Sequence, residues 1–217
     1  MKRYDMKNPN IEIISFDLFG TLVYYTKAWW FMFMLRAGLL SKQSRAIFQK
    51  GVLTSVTTDM LLDNIIFREN NFSKETSYLF NKYLKDETQS ITLFADVSRI
   101  LILLQQKGYK IAVTSNLAKD FGQPTLNVLP IKPDYIIFSY EEGCRKPDLK
   151  IFEKITSKSG VSADKILHIG DKYKNDYLGA TNAGMNAILL SRDRNNIPSK
   201  ETHFIHSLLE LENILLL

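Results

Sequence analysis

The most constraining feature of the sequence is an apolar run near its start that ends on a carboxylate. Residues Ile11 to Phe16 are mostly apolar, Asp17 follows them, and Gly20 indicates a sharp turn soon afterwards. Such a run is typical of a strand that is buried on both faces of a parallel sheet. Open α/β sheets bind ligands at the carboxyl ends of their strands. The run therefore predicts a central strand that delivers Asp17 to a functional crevice.

Strand-like and helix-like segments alternate over the rest of the chain beyond residue 90. Strands are predicted over residues 110–114, 135–138, 165–169 and 187–190, and helices over residues 95–107, 147–157, 174–183 and 207–216. Alternation of this kind is typical of a parallel sheet whose strands are joined by right-handed helical crossovers. The sequence thus predicts the α/β class.

The segment over residues 26–90 shows no strand pattern. Its apolar residues recur at helical spacing, for example at Val52, Val56 and Met60. We therefore predict an inserted helical domain over residues 26–90, in three or four helices, and a core made of residues 1–25 and 91–217.

Composition favours an ordinary globular protein, with 45% hydrophobic and 24% charged residues among 217. The net charge of +5 favours an anionic substrate, and no basic run is dense enough to indicate nucleic acid. The aromatic stretch at Trp29 and Trp30 is too short for a membrane span and is interrupted by Arg36. We expect a cytoplasmic protein without a membrane partner, and an oligomer is possible through this aromatic helix.

Three further sets of polar residues accompany Asp17 in chain order, each at the end of a predicted strand or the start of a predicted helix. They are Ser115 with Asn116, Lys146, and Asp171 with Asp176. Turn formation explains Ser115 with Asn116 and helix capping explains Asp171 with Asp176, because short polar residues favour those positions. Lys146 alone would be one lysine among many. Their common order along the chain favours one composite site.

These sets, together with the Phe-Asp-Leu-Phe-Gly-Thr-Leu stretch over residues 16–22, resemble the four motifs of the haloacid dehalogenase-like (HAD) superfamily of hydrolases. The resemblance implies a Rossmann-like core, and it identifies the helical insertion as the family's cap between the first and second motifs. It also implies that Asp17 is a nucleophile that forms an aspartyl phosphate. Lys146 would then offset negative charge as a catalytic residue, Ser115 and Lys146 would bind the substrate, and Asn116 would steady the loop or bind the substrate.

The same resemblance implies a Mg²⁺ site at the edge of the sheet. Its ligands would be Asp17, the backbone carbonyl of Phe19, Asp171, and Asp176 as a ligand or as an acid behind the ligands. Clustered carboxylates are costly without a cation, and hard oxygen ligands suit Mg²⁺. The expected substrate is a small phosphorylated anion.

Phe19 departs from the family's pattern. Most phosphatases of the family carry a second Asp at this position, which serves as general acid and base and contributes about 10²- to 10⁴-fold in rate. An aromatic residue there resembles the 2-haloacid dehalogenases, although these are metal-free and carry Ser in place of Asp171. We favour a Mg²⁺-dependent phosphatase. The alternatives are a 2-haloacid dehalogenase, or a weakly active or inactive protein that binds a phosphorylated ligand or a partner.

Overall fold

The computed structural model describes residues 10–27, 74–193 and 202–216, together with Leu53. Most of the predicted helical insertion, including Trp29, Trp30 and Arg36, lies outside the described residues. No helix within the described ranges is long and apolar enough to cross a membrane.

The described part of the chain is built on a six-stranded sheet and a separate two-stranded one. The strands are β1 (Ile13–Phe16), β2 (Val23–Tyr25), β3 (Ile91–Leu93), β4 (Lys110–Ser115), β5 (Tyr135–Phe138), β6 (Ile166–Gly170), β7 (Asn186–Leu190) and β8 (Phe204–Ile205). The larger sheet has the order β5-β4-β1-β6-β7-β8 and all its pairs are parallel. The predicted α/β class is confirmed, and β1 lies at the centre between β4 and β6.

Helices connect the strands of the larger sheet. Within the described ranges, the α-helices are α1 (Lys74–Gln89), α2 (Val97–Gln106), α3 (Lys119–Val128), α4 (Ser139–Glu142), α5 (Leu149–Ser159), α6 (Gly179–Asn182) and α7 (Leu211–Ile214). The helix predicted over residues 174–183 begins as a π-helix, Tyr173–Leu178, before α6. The predicted tail helix divides into a 3₁₀ turn, Leu208–Glu210, and α7.

The central strand β1 is buried on both faces of the sheet. Ile14 and Phe16 pack in one apolar cluster with residues of α2, and Ile13 packs in a second cluster with residues of α5. Successive side chains of a strand point to opposite faces, so a strand between two helical layers must be apolar on both. This is the physical reason for the apolar run that precedes Asp17.

The short strands β2 and β3 form an antiparallel ribbon that the sequence did not predict, because three residues carry almost no periodicity. Tyr25 pairs with Ile91 at one end of the ribbon, and Val23 pairs with Leu93 at the other. The ribbon therefore joins the two points at which we expect the helical insertion to begin and end. The division into core and cap stays a prediction.

Asp96, just before α2, ties together three separate segments of the core. Its carboxylate accepts hydrogen bonds from both terminal nitrogens of Arg192 at 3.0 and 3.1 Å, and from the Ser207 hydroxyl and the Leu208 backbone at 2.9 Å. Arg192 also donates to the carbonyl of Thr21 at 2.6 Å. This cluster connects the turn after β1 with the carboxyl-terminal segment.

We predict that Asp96→Ala lowers the free energy of unfolding by about 2 to 3 kcal/mol, because hydrogen bonds to charged groups are lost and Arg192 keeps no counter-charge there. Burial alone would raise the pKa of Asp96, but its hydrogen bonds outweigh burial and hold that pKa below its usual value. The stabilisation is thus present above about pH 4 and is lost as the pH falls through the lowered pKa.

Urea unfolding of wild type and variant at several pH values measures both effects. The control is Arg99→Ala, since Arg99 pairs with Glu212 but is 68% exposed. Its loss should stay below about 1 kcal/mol. Equal losses in the two variants would contradict the role given to Asp96.

Candidate active site

One cavity at the carboxyl ends of the central strands is lined by every site residue that the sequence predicts. The cavity measures about 470 Å³, and its lining includes Asp17, Phe19, Ser115, Asn116, Lys146, Asp171 and Asp176. Asp17 follows β1, Ser115 ends β4 and Asp171 follows β6, so the parallel register of these strands brings the residues together. A neighbouring cavity of about 880 Å³ shares Asp171 and Lys172 with it.

Lys146 is the centre of the charge arrangement in this cavity. Its ammonium lies 2.7 Å from Oδ1 of Asp17 and 2.6 Å from Oδ1 of Asp176, and all three residues are buried. Burial alone would lower the pKa of Lys146, but the two carboxylates outweigh burial and raise it. Lys146 therefore remains a cation that bridges two acids.

The described residues hold the Asp17 carboxylate at one of its two oxygens. The Ser115 hydroxyl donates to Oδ1 at 2.8 Å, and Lys146 donates to the same atom. Within the described part of the chain, Oδ2 of Asp17 accepts no hydrogen bond. The carboxylate is thus fixed in orientation while one oxygen is left for another partner.

Asn116 acts on the loop that carries Lys146. Its side-chain amide donates to the backbone carbonyl of Lys146 at 2.9 Å, and its carbonyl oxygen accepts from the backbone N–H of Lys146 at 2.8 Å. This reciprocal pair fixes the position of the lysine backbone relative to the end of β4. The expected roles of Asn116 are to steady the loop or to bind the substrate; this bond pair is with the loop, and Asn116 also lines the cavity.

One carboxylate oxygen of Asp171 has surroundings that fit a bound cation. Its Oδ1 is buried and has no hydrogen-bond partner among the described residues, whereas its Oδ2 lies 2.6 Å from Nζ of Lys172. Burial raises the pKa of the Asp171 carboxyl, and Lys172 opposes that effect. One carboxylate oxygen each from Asp17, Asp171 and Asp176 lies within 4.8 Å of the others. An acid set of this kind is compatible with a bound divalent cation.

Two glycines allow the acids to come this close. Gly20 has a φ of +87°, and a Cβ at this position would collide with the Asp171 carboxylate. A Cβ on Gly170 would collide with the side chain of Asp176. Only glycine leaves this space, so both positions are required by the packing of the carboxylates.

Both carboxylate oxygens of Asp176 have hydrogen-bond donors beside them. Its Oδ2 accepts from the backbone N–H of Lys172 at 2.9 Å, and its Oδ1 accepts from Lys146 and lies 3.3 Å from Nε2 of His168. Burial alone would raise its pKa, but Lys146 and His168 outweigh burial and lower it. Sequence reasoning missed the contact between His168 and Asp176, because a histidine inside a predicted strand is interpreted as a structural residue.

Phe19 belongs to an aromatic cluster beside the cavity. Its ring stacks on Tyr25 with centroids 4.4 Å apart, and Phe121 meets it edge-on at 6.0 Å. Burial raises the pKa of Tyr25, and the charges of Glu87 and Asp17 add to this effect. Sequence reasoning missed Phe121, because α3 contains Pro124 and was not predicted.

We predict that Lys146→Met lowers the free energy of unfolding at neutral pH by about 3 to 5 kcal/mol, because two buried acids then lose their shared cation. The control is Lys154→Met, since the Lys154 side chain is 42% exposed and pairs with Glu142 at 3.1 Å. That substitution should cost less than about 1 kcal/mol. Urea unfolding in the presence of a chelator measures both, and similar losses would contradict the prediction.

Comparison with known proteins places this site in a family context. The family model described as "Haloacid dehalogenase-like hydrolase" matches residues 14–190. Glyceraldehyde 3-phosphate phosphatase of Methanothermobacter thermautotrophicus is 36% identical over 102 residues, which cover 46% of this chain and 45% of that protein. Haloacid dehalogenase-like hydrolase domain-containing protein 3 of Mus musculus is 30% identical over 116 residues, covering 49% and 45%. These matches span less than half the length of each relative.

Solved structures with the same fold include both kinds of chemistry. A HAD phosphatase from Thermococcus onnurineus has a TM-score of 0.68 at 20% identity, covering 94% of this chain and 98% of that one. A 2-haloacid dehalogenase from Pseudomonas syringae has the same score and identity, covering 95% and 98%. The fold is therefore common to both activities and does not separate them. With the family model matching most of its length, this chain belongs to the haloacid dehalogenase-like hydrolases.

Proposed function

We propose that this hydrolase is a Mg²⁺-dependent phosphatase that acts on small phosphorylated molecules through Asp17. The observation that carries the proposal is a pair of carboxylate oxygens that have no hydrogen-bond partner among the described residues. Oδ2 of Asp17 accepts no hydrogen bond within the described residues, and Oδ1 of Asp171 is buried without a partner. Asp17, a nucleophile with one oxygen free within the described part of the chain, lies beside Asp171, a carboxylate that needs a cation. This pair suits phosphoryl transfer better than metal-free dehalogenation. The phosphatase named among its relatives supports the same class of substrate.

We assign the cation to Asp17, the backbone carbonyl of Phe19 and Asp171, with Asp176 as a ligand or behind the ligands. The hydrogen bonds that occupy both oxygens of Asp176 favour the second role. When bound, Mg²⁺ would neutralise charge on the phosphoryl oxygens and on the clustered acids.

In the first step, an oxygen of Asp17 forms a bond to phosphorus while the bond from phosphorus to the leaving-group oxygen breaks. In the second step, water attacks the aspartyl phosphate, which releases inorganic phosphate and regenerates the Asp17 carboxylate. Ser115 and Asn116 would bind the phosphoryl group. Lys146 would offset the negative charge that the phosphoryl group shares with Asp17. The buried position of Lys146 makes this electrostatic effect stronger than it would be in water.

Access to the site would be controlled by the helical cap over residues 26–90. The ribbon of β2 and β3 supports this division, because it would place both ends of the cap next to the turn after Asp17. Closure of a cap would exclude water from the reacting groups. Oligomer formation through Trp29 and Trp30, and location in the cytoplasm, remain predictions from the sequence.

Phosphate and chloride release together distinguish this function from its alternatives. The wild type is assayed on nitrophenyl phosphate, acetyl phosphate and 2-chloropropionate, with Mg²⁺ and with a chelator. We expect phosphate release that requires Mg²⁺ and that is lost in Asp17→Asn and in Asp171→Asn, and we expect calorimetry to show that Asp171→Asn no longer binds Mg²⁺. Chloride release without metal would instead identify a dehalogenase, the alternative that the aromatic residue Phe19 favours. The absence of phosphate and chloride release from all three substrates would favour a binding protein.

Phe19 leads to a prediction about leaving groups. Because no carboxylic acid follows Asp17 at the second position, leaving groups that need no proton should react well, and sugar phosphates should hardly react. Phe19→Asp should raise turnover of sugar phosphates selectively, by up to about 10²- to 10⁴-fold where the new carboxylate is well placed.

The matched control for that variant is Phe19→Asn, which has the same shape as Phe19→Asp but cannot transfer a proton. Both variants lose the stacking of Phe19 on Tyr25, so thermal unfolding must first show that each is folded. An equal gain in both variants would refute general acid catalysis as the cause. So would a wild type that already hydrolyses alkyl and aryl phosphates equally fast.

A further inference from the structure

A line of buried polar side chains runs through the sheet behind the active site. From Asp176 it passes to His168 on β6, with Nε2 lying 3.3 Å from Oδ1, and then to Ser15 on β1, where Nδ1 lies 3.0 Å from Oγ. Ser15 in turn lies 3.1 Å from the hydroxyl of Thr114 on β4. His168, Ser15 and Thr114 are all 0% exposed. The line thus crosses three neighbouring strands without contact with solvent.

Packing alone does not account for this line. The centre of a parallel sheet is normally filled by aliphatic side chains, and a buried polar group costs free energy unless each donor and acceptor is paired. Here three polar residues occupy such positions, and within the described residues their side chains hydrogen-bond to one another and to Asp176. Apolar residues of similar size would fill the same space without that requirement.

The chemistry of the partners sets the direction of each hydrogen bond. Asp176 accepts from Lys146 and from a backbone N–H, so it is an ionised acceptor, and Nε2 of His168 must donate to it. A neutral imidazole then has a bare Nδ1, which must accept from the Ser15 hydroxyl. Ser15 is left to accept from Thr114.

We propose that His168 is a positioning residue of the active site, which fixes the Asp176 carboxylate so that Lys146 is held against Asp17. Oδ1 of Asp176 is the atom that both Lys146 and His168 contact, so rotation of this carboxylate would move the ammonium. Ser15 holds the imidazole from its other side, and the Phe152 ring meets it edge-on at 5.3 Å. The consequence for catalysis rests on the proposed phosphatase function, but the hydrogen-bond arrangement does not.

The arrangement is tested without any assay by nitrogen NMR of the wild-type imidazoles. The chain has only three histidines, and His168→Gln assigns the signal. We expect Nε2 to carry a proton at neutral pH. A neutral ring with its proton on Nδ1 would overturn the proposal, because Nε2 could then not donate to Asp176.

The catalytic consequence is tested by comparing His168→Gln with His168→Leu on nitrophenyl phosphate. Glutamine can place an N–H donor near the position of Nε2, whereas leucine fills the space without one. We expect kcat to fall by about 10- to 100-fold in His168→Leu, with KM nearly unchanged, and to recover largely in His168→Gln. A loss of the same size in both variants, or no loss in either, would overturn the positioning role.

Ile155→Val provides a control for stability. Ile155 is a fully buried member of the apolar cluster on the α5 side of the sheet, so this variant should lose about 1 kcal/mol of stability while keeping the wild-type kcat. A comparable loss of kcat in this control would assign the effect of His168→Leu to stability and overturn the proposal. A wild type that hydrolyses no phosphate would defeat the proposed function, and the NMR result would still decide the arrangement.

Discussion

The bridge that Lys146 makes between Asp17 and Asp176 is the interaction on which the arrangement of the site depends. Three charges are taken out of water together, and their mutual attraction must offset a desolvation cost of several kcal/mol for each ion. Such a cluster is tolerated only where geometry is fixed on every side. The sheet provides this rigidity, because Asp17 follows β1, the π-helix that carries Asp176 follows the neighbouring strand β6, and Asn116 holds the backbone of the lysine.

The same charges explain why the acids need glycine neighbours. Gly20 and Gly170 leave no side chain between the strands and the carboxylates, so three acids approach within 4.8 Å. Lys146 balances two of them, and Lys172 lies against one oxygen of Asp171 from the exposed side. The remaining buried oxygen of Asp171 is where the described residues leave negative charge without a partner. This excess is compatible with a bound divalent cation.

Much of the fold could be predicted from the sequence because it depends on local patterns. The apolar run before Asp17 predicted a strand buried on both faces, and the chain order of the polar motifs predicted which residues share the cavity. Features that depend on distant partners could not be predicted in this way. Arg192 meets Asp96 across 96 positions of the chain, and His168 meets Ser15 across 153. Periodicity carries no information about such pairs.

The ribbon of β2 and β3 has a consequence for how this chain can change. Because residues 25 and 91 are paired directly, the two ends of the intervening segment lie next to each other. The entropy of closing a loop grows only with the logarithm of its length, so a longer or shorter segment would alter the stability of the core by about 1 kcal/mol or less. The sheet and its charge cluster can therefore stay constant while this segment diverges. For the proposed cap over residues 26–90, substrate preference could then change by exchange of one contiguous stretch of sequence.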